Sequence, residues 1–352
     1  MKKHINRKWF YGAMLAGALG LTAAQIAEAT ATIIGKNDWL FFRYEFALPS
    51  DLKDTQATVQ LLQKTNKLFN DNGVALALVI VPSKIRIYAQ HLPDSKKLDS
   101  HTADKYENVA KMLTDGGVNV VNLNQPFLNS PLRNSDTPFF FRLDTHWSPA
   151  GALLAAQTVK AEIDKNPTLK AALAATPEAE YTFSWSKRKI NHRSRDLVNL
   201  LPKETQNFPA EQILLFKSDR VQATQAGLLN AGDNVAITVI GSSYTNKNTG
   251  YPDGLRYTLQ RDVLDISIPV DQGPWVGMES YLRDDAFQTN KPKLIIWEIP
   301  ERELHAPPNY KHRIARYVSD NNEWFTRVSA LVKKACSASS DQGQTAGGKP
   351  CR

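Results

Sequence analysis

Five short runs of apolar, mostly β-branched residues recur along the chain and constrain its fold more than any other feature. They are residues 74–81, 118–123, 235–240, 263–268 and 294–297. Uninterrupted apolar runs of this length are typical of strands that are covered on both faces, as in a parallel sheet.

Amphipathic patterns with a helical period alternate with these runs. They occupy residues 54–70, 102–113 and 321–334, and a further stripe is formed by Ala152, Ala156, Val159 and Ile163. Strands that alternate with helices predict an α/β sandwich with a mostly parallel central sheet, folded as one domain. Residues 166–217 carry neither pattern, and we expect an irregular insertion over the sheet.

The N-terminal residues have the three parts of a secretory signal. Four basic residues lie within residues 1–8, residues 9–27 are uncharged, and Ala27-Glu28-Ala29 offers a small-residue cleavage pattern. Residues 1–29 are therefore predicted to be a signal peptide. An uncleaved signal anchor is the alternative, because the uncharged stretch approaches the length that spans a bilayer. In both cases residues 30–335 form the folded domain outside the cytoplasm.

Overall composition is that of an ordinary soluble protein, with 42% hydrophobic and 22% charged residues. It excludes a disordered chain, a collagen-like fibre, a disulfide scaffold and a polytopic membrane protein. The net charge is +8, and removing residues 1–29 removes four basic residues and one acidic residue, which leaves +5. An exported protein with this charge is not expected to bind nucleic acid, and an acidic polysaccharide is the better partner.

Residues 186–195 contain five basic residues and no acid. This segment is either a solvated loop or part of a groove that attracts carboxylate-bearing sugars. Lys187, Arg188 and Arg193 are the candidate substrate contacts within it.

Cys336 and Cys351 form an even pair in a chain predicted to be exported. They bracket a Gly/Ser/Gln-rich stretch, so a disulfide would close the tail of residues 336–352. Such a loop contributes about 3 kcal/mol in the chain-entropy model. The alternative is two free thiols.

Asp144 and His146 are the first pair that could carry chemistry. If the stretch is extended, side chains two apart share a face, and the carboxylate can hold the imidazole in one tautomer. Ser148 and Pro149 follow as a predicted helix N-cap and first helical residue. The alternative is an Asp–His pair that only satisfies the local backbone.

The second candidate is the sequence Gly241-Ser242-Ser243, which directly follows an apolar run. Serines at the carboxyl edge of a parallel sheet are often nucleophiles, and Gly241 would permit a tight turn. The alternative is an ordinary turn serine. A third segment contains Glu298 and Glu301, which could be paired glycosidase carboxylates or a capped strand end with a surface ion pair. The histidines show no metal-binding spacing, and no metal or cofactor is expected.

Together these segments resemble the alginate O-acetyltransferase family, whose catalytic domain is similar to SGNH (GDSL-type) hydrolases. The resemblance rests on DTHWSPAGA, GSSYT and WEIPER, preceded by GKNDWLFF and VIVPSK, at residues 144–152, 241–245, 297–302, 35–42 and 79–84. It implies an SGNH-hydrolase-like three-layer α/β/α sandwich. It further implies that Ser243 is the nucleophile of a triad with His146 and Asp144. Tyr244 and Arg302, which lie in two of these motifs, are hypothesised to contact the substrate.

The resemblance also implies a function. The protein would transfer acetyl groups onto an exopolysaccharide in the periplasm, with a membrane-bound O-acyltransferase as acetyl supplier and other polysaccharide synthesis and export subunits as partners. About 50 residues follow Arg302, too few for the C-terminal carbohydrate-binding module of some members, so the single-domain type is expected. An acetyl esterase with the same triad and a non-catalytic polysaccharide-binding scaffold are the alternatives. The order Asp144, His146, Ser243 argues against a generic SGNH esterase, in which the serine comes first.

Overall fold

A computed structural model describes residues 30–221, 235–269 and 272–335. In chain order its strands are β1 (Thr32–Ile34), β2 (Leu40–Phe42), β3 (Ala75–Val81), β4 (Asn119–Asn122), β5 (Tyr181–Trp185), β6 (Ile190–Asn191), β7 (Gln212–Ile213), β8 (Phe216–Arg220), β9 (Ile237–Gly241), β10 (Leu264–Ser267) and β11 (Leu294–Pro300).

Helices occupy much of the remaining described chain. They are α1 (Leu52–Asp71), α2 (Lys84–Ile87), α3 (Ser100–Asp115), α4 (Asn124–Asn129), α5 (Pro149–Lys165), α6 (Pro167–Ala174), α7 (Asp196–Asn199), α8 (Tyr251–Leu259), α9 (Gly273–Arg283), α10 (Asp285–Gln288) and α11 (Asn321–Lys334).

The central sheet has five parallel strands in the order β10-β9-β11-β3-β4. All five apolar runs of the sequence contribute one strand each, so the prediction of a mostly parallel sheet is confirmed. Every residue of β3 and β11 is buried, and the two strands pair in register from Leu294 opposite Ala75 to Pro300 opposite Val81. Burial on both faces explains why these runs do not alternate with polar residues.

Helices cover both faces of the sheet. Successive side chains of a strand point to opposite faces. Accordingly Ala77 and Val79 of β3 share a core with residues of α5 and α8, whereas Leu76 and Leu78 share a second core with residues of α1, α3, α9 and α11. The three-layer α/β/α sandwich is therefore confirmed.

The insertion is more regular than its sequence predicted. Residues 166–217 contain α6 and α7, and β5 pairs antiparallel with β8 while β6 pairs with β7. The expectation of an irregular segment was wrong because these short strands are exposed along most of their length and carry no apolar run.

Two predictions concern residues outside the described ranges. The export signal in residues 1–29 and the disulfide between Cys336 and Cys351 both remain predictions. Within the described ranges, no helix has the length and apolar character needed to cross a bilayer.

A buried ion pair joins the carboxyl ends of the two central strands. Glu301 directly follows β11, and its carboxylate accepts bonds from both Arg86 terminal nitrogens, one at 2.7 Å. The backbone N–H and hydroxyl of Ser83 donate to the same carboxylate at 2.9 and 2.8 Å. Both charged side chains are buried. Glu301 is thus neither a surface ion pair nor a free catalytic carboxylate, as the sequence had suggested.

We expect Arg86→Met to lower the free energy of unfolding by about 3–5 kcal/mol, because it leaves the Glu301 carboxylate buried without its cation. Urea denaturation followed by circular dichroism measures the change. The control is Lys111→Met, which removes an exposed pair with Asp115 and should cost less than about 1 kcal/mol. Equal effects of the two substitutions would contradict the structural role of the buried pair.

Candidate active site

Ser243 lies at the carboxyl edge of the central sheet. Strand β9 ends at Gly241, and a 3-10 turn begins at Ser243. The hydroxyl of Ser242 caps this turn by accepting a bond from the Tyr244 N–H at 3.2 Å. The predicted nucleophile therefore occupies the strand-to-turn position where parallel α/β sheets commonly place reactive groups.

The buried carboxylate of Glu298 on β11 holds this turn from below. It accepts the Ser242 N–H at 2.7 Å and the hydroxyls of Ser242 and Thr245 at about 3.0 Å. A Cβ at Gly241 would collide with Glu298 and Thr245. Glycine is needed at this position because the side chains of Glu298 and Thr245 approach its Cα closely. The backbone of Gly241 does not adopt a positive φ.

Asp144 and His146 lie in a loop of bends between Phe140 and Trp147, which form an antiparallel bridge. The Asp144 carboxylate accepts the His146 backbone N–H at 2.9 Å and lies 2.6 Å from Nδ1 of the same residue. An Asx-type turn thus brings the pair together, and the expectation of an extended stretch was wrong. The loop ends as predicted, with Ser148 capping α5 and Pro149 at its first position.

The imidazole connects this loop to the serine. Nε2 of His146 lies 2.7 Å from Oγ of Ser243, although the residues are 97 positions apart. Asp144 is fully buried, whereas 19% of the His146 side chain is exposed. With Nδ1–H donating to Asp144, Nε2 is free to accept the serine proton. Asp144, His146 and Ser243 therefore form the hydrogen-bonded series that a serine nucleophile requires.

Asp144 is held in its charged form. Burial opposes ionisation, but hydrogen bonds from His146 and Ser194, with the charge of the imidazolium, outweigh it and keep the Asp144 pKa well below its usual range. The Ser194 hydroxyl donates to Oδ2, and the Asp196 N–H lies 3.4 Å from the same oxygen. A fixed negative charge at this position stabilises an imidazolium that forms during reaction.

Ser194 and Asp196 belong to the insertion, and sequence reasoning missed them because no motif there indicated contact with the triad. The Asp196 carboxylate accepts the Thr145 N–H at 2.8 Å and the Thr145 hydroxyl. Asp144, His146 and Asp196 offer donor atoms within 4.8 Å of one another, the spacing of a metal site. In this structure Asp144 bonds His146, and Asp196 accepts bonds from Thr145. These contacts are those of a catalytic triad and of a carboxylate that supports its loop.

Lys84 is another residue that the sequence analysis did not single out, although it ends the VIVPSK segment. Its side chain is fully buried, and Nζ donates to the carbonyl oxygens of Arg142 and Asp144, each at 3.0 Å. Burial lowers its pKa to about 8, against the opposing attraction of nearby carboxylates. The ammonium thus holds the backbone of the loop that carries the Asp–His pair.

Tyr244 and Arg302 contact the loop that carries Asp144 and His146. Tyr244 is 1% exposed, and its hydroxyl donates to the Thr145 carbonyl at 2.6 Å. Its burial corrects the expectation that it contacts the substrate. Arg302 is partly buried, donates to the Tyr244 hydroxyl at 3.2 Å and lies 3.9 Å from Glu45. Its contact with substrate stays a prediction.

Lys187, Arg188 and Arg193 are exposed and lie on the segment that follows β5. Arg193 directly precedes Ser194, which contacts Asp144. The basic segment therefore borders the triad.

We expect Lys84→Met to slow the reaction of Ser243 with phenylmethylsulfonyl fluoride about tenfold or more. Methionine fills the space of the stem but removes the Lys84 donor of the buried Asp144 carbonyl and leaves the Arg142 carbonyl with only the Leu40 N–H, so the loop that positions His146 shifts. Intact-protein mass spectrometry measures the rate of modification. Lys67→Met, an exposed lysine on α1, is the control and should react like the wild type. A folded Lys84→Met protein with an unchanged rate would refute this positioning role.

The stability of the protein should depend on the titration of Glu298. Burial raises its pKa from 4.5 to about 7, and the bonds from Ser242 and Thr245 oppose this only in part. Because the folded state binds the proton more tightly, the associated stability is present below about pH 4.5 and is lost as the pH rises through about 7.

Glu298→Gln keeps an acceptor oxygen for Ser242 and removes the titration. We expect the melting temperature to fall less between about pH 5 and about pH 8 in this variant than in the wild type, by roughly half. Glu45, whose pKa burial also raises to about 7, contributes a fall of the same sign, whereas His91, His192 and His305, whose pKa values burial lowers, contribute in the opposite sense. Differential scanning fluorimetry across the pH range makes the comparison, and parallel curves for the two proteins would contradict the assignment.

Comparison with known proteins agrees with this geometry. Residues 32–301 match the family described as "SGNH hydrolase-like domain, acetyltransferase AlgX". The chain is 32% identical over 288 residues to the probable alginate O-acetylase AlgJ of Pseudomonas syringae pv. tomato, which covers 78% of this chain and 69% of that protein. It is 29% identical over 276 residues to the alginate biosynthesis protein AlgX of Pseudomonas putida, covering 76% of this chain and 56% of the relative.

Solved structures show the same fold. The O-acetyltransferase domain of Pseudomonas putida AlgJ matches with a TM-score of 0.70 at 22% identity, covering 85% of this chain and 99% of that one. Pseudomonas aeruginosa AlgX matches with a TM-score of 0.65 at 18% identity, covering 88% and 68%. The resemblance drawn from the sequence motifs and the predicted fold class are confirmed, and the family match extends over most of the chain. The chain therefore belongs to the AlgX family of SGNH hydrolase-like acetyltransferases.

Proposed function

We propose that this protein transfers acetyl groups onto hydroxyls of an anionic exopolysaccharide, alginate or a similar polymer, through an acetyl-Ser243 intermediate. The observation that carries the proposal is the hydrogen-bonded series of Asp144, His146 and Ser243 on the fold of an acetyltransferase family. The relatives named as alginate O-acetylase and alginate biosynthesis protein support the choice of polymer.

The first half of the reaction forms the acetyl-enzyme. His146 Nε2 takes the proton of Ser243 Oγ as the oxygen attacks the acetyl carbonyl carbon. The bond from that carbon to the donor oxygen breaks, and the donor oxygen takes the proton from His146. The Ser243 N–H has no acceptor in the described part of the chain, so it is available to stabilise the oxyanion.

The second half transfers the acetyl group. A sugar hydroxyl gives its proton to His146 as its oxygen attacks the carbonyl of acetyl-Ser243. The bond to Ser243 Oγ breaks, and this oxygen takes the proton back, which regenerates the starting enzyme. The buried charge of Asp144 stabilises the imidazolium in both halves. The chemistry proposed here uses no metal and no cofactor.

The location and the acetyl supply follow from the proposed export. The pattern of residues 1–29 supports action in the periplasm, either free or held by a signal anchor. Acetyl-CoA is absent from that compartment, so a membrane-bound O-acyltransferase would supply acetyl groups from the cytoplasmic side. Other polysaccharide synthesis and export subunits would act alongside, which agrees with a relative that is named as an alginate biosynthesis protein. Cys336 and Cys351 would form their disulfide there.

We expect the purified wild-type protein to transfer acetyl from an activated ester to an oligomannuronate, detected by mass spectrometry. Ser243→Ala should lower the rate by roughly a thousandfold or more, and Asp144→Asn should cause a loss of the same order. Ser329→Ala is the control. The Ser329 hydroxyl donates to the carbonyl of Phe325 within α11, and α11 packs on the face of the sheet opposite to α5 and α8.

Three results would count against the proposal. Full transfer activity in Ser243→Ala would exclude the acetyl-serine mechanism. Release of acetate from acetylated polymer, with no transfer to any oligosaccharide acceptor, would identify an esterase. Loss of activity in Ser329→Ala as large as in Ser243→Ala would show that the assay reports folding and not chemistry.

A further inference from the structure

A cavity of about 1050 Å³ opens beside the loop that carries Asp144 and His146, and the triad does not use it. Phe141, Arg142 and Ser148 of this loop line the cavity. Residues two apart in the chain are separated by at most about 7 Å. The Cα atoms of Arg142 and Ser148 therefore lie within about 7 Å of those of Asp144 and His146, respectively.

The walls of this cavity combine aromatic faces with polar groups. Trp39 stacks on His91 with ring centroids 4.8 Å apart, and Trp185 leaves 40% of its surface exposed. Gln90 and Gln212 add amide groups. Ligand sites typically pair apolar surface with a few oriented polar groups. A sugar ring matches this chemistry, because its C–H faces pack on aromatic rings while its hydroxyls bond amides.

Two arginines, Arg133 and Arg142, line the cavity together with two acids, Asp136 and Glu211. Arg142 is 40% exposed, and its nearest carboxylate, that of Glu211, is 3.7 Å away. Glu211 is buried and already accepts the backbone N–H groups of Arg142 and Leu143 at 2.6 and 2.9 Å. Arg133 makes no ion pair among the described residues. The other acid of the lining, Asp136, is exposed, and planar guanidinium groups suit carboxylates.

One stretch of the insertion connects the cavity to the triad. Trp185 lines the cavity, and the exposed basic residues Lys187, Arg188 and Arg193 follow it. The next residue, Ser194, donates its hydroxyl to Asp144. The basic residues therefore lie, along the chain, between a residue of the cavity wall and a residue that contacts the triad.

We propose that this cavity binds the sugar units of a carboxylate-bearing polysaccharide that adjoin the unit acetylated at Ser243. Trp185 packs against a sugar ring, and Arg133 and Arg142 bind carboxylates. The inference rests on the proposed function for the identity of the acceptor. It predicts that affinity for the acceptor increases with its length, because a short acceptor cannot reach both the cavity and Ser243.

The first experiment compares acceptors of different length. The double variant Trp185→Ala/Arg133→Ala should raise KM for a long oligomannuronate about tenfold, equivalent to about 1.4 kcal/mol. Its kcat, its KM for a disaccharide and the rate of Ser243 modification by phenylmethylsulfonyl fluoride should not change. Arg316→Ala/Tyr317→Ala is the matched control, since this arginine lies 4.7 Å from the tyrosine ring centroid and neither residue lines the cavity.

The second experiment measures binding without turnover. In the Ser243→Ala protein, calorimetry should show that the same double variant weakens binding of the long oligomannuronate about tenfold, and that an uncharged glucan of equal length binds far less tightly. Variant-sensitive binding in this background, together with a wild-type protein that transfers no acetyl group, would support the cavity and refute the proposed function alone. Unchanged KM and affinity, or an equal loss of Ser243 reactivity toward the sulfonyl fluoride, would overturn the cavity proposal.

Discussion

Buried carboxylates that accept bonds from loop backbone hold this active site together. The loops at the carboxyl edge of the sheet have N–H groups that no strand or helix pairs, and such groups need acceptors when they are buried. Glu298 accepts from Ser242, Glu211 from Arg142 and Leu143, and Asp144 from His146. The reactive side chains therefore occupy their positions because carboxylates replace the missing secondary structure around them.

Buried cations offset the free-energy cost of removing the carboxylates of this region from water. Arg86 pairs with Glu301, and Lys84 binds two carbonyl oxygens of the loop that carries Asp144. A charge removed from water is tolerated only when partners satisfy it. Since the partners come from several loops, each ionic contact also fixes one loop relative to another. The geometry of His146 and Ser243 is thus organised before any substrate arrives, which suits a reaction that depends on positioning.

The insertion between α5 and β9 links this organised centre to the outer surface. It supplies Ser194 beside the triad, the exposed basic residues and part of the cavity wall at Trp185. The central sheet is built for burial and offers little surface for a polymer to bind. Features that distinguish one acceptor from another would then reside in the insertion, while the chemistry resides in the sheet and its adjoining loops.

Much of the fold was predictable because strands buried on both faces leave continuous apolar runs, and each of the five runs became a strand of the sheet. The sequence also indicated two candidate segments, since Gly241-Ser242-Ser243 follows such a run and Asp144-Thr145-His146 precedes a capped helix, and the family resemblance implied that Ser243, His146 and Asp144 act together. The supports were not predictable. Glu298 was considered only as a possible glycosidase carboxylate, and Lys84 and Ser194 look like ordinary polar residues in the sequence. Only the parallel order of β9, β11 and β3 brings Glu298 and Lys84 close to the loops of the active site. The sequence alone determined which residue types could react and which strands would be buried. The tertiary structure decided which carboxylates and cations hold them in place, because those contacts join residues dozens to hundreds of positions apart.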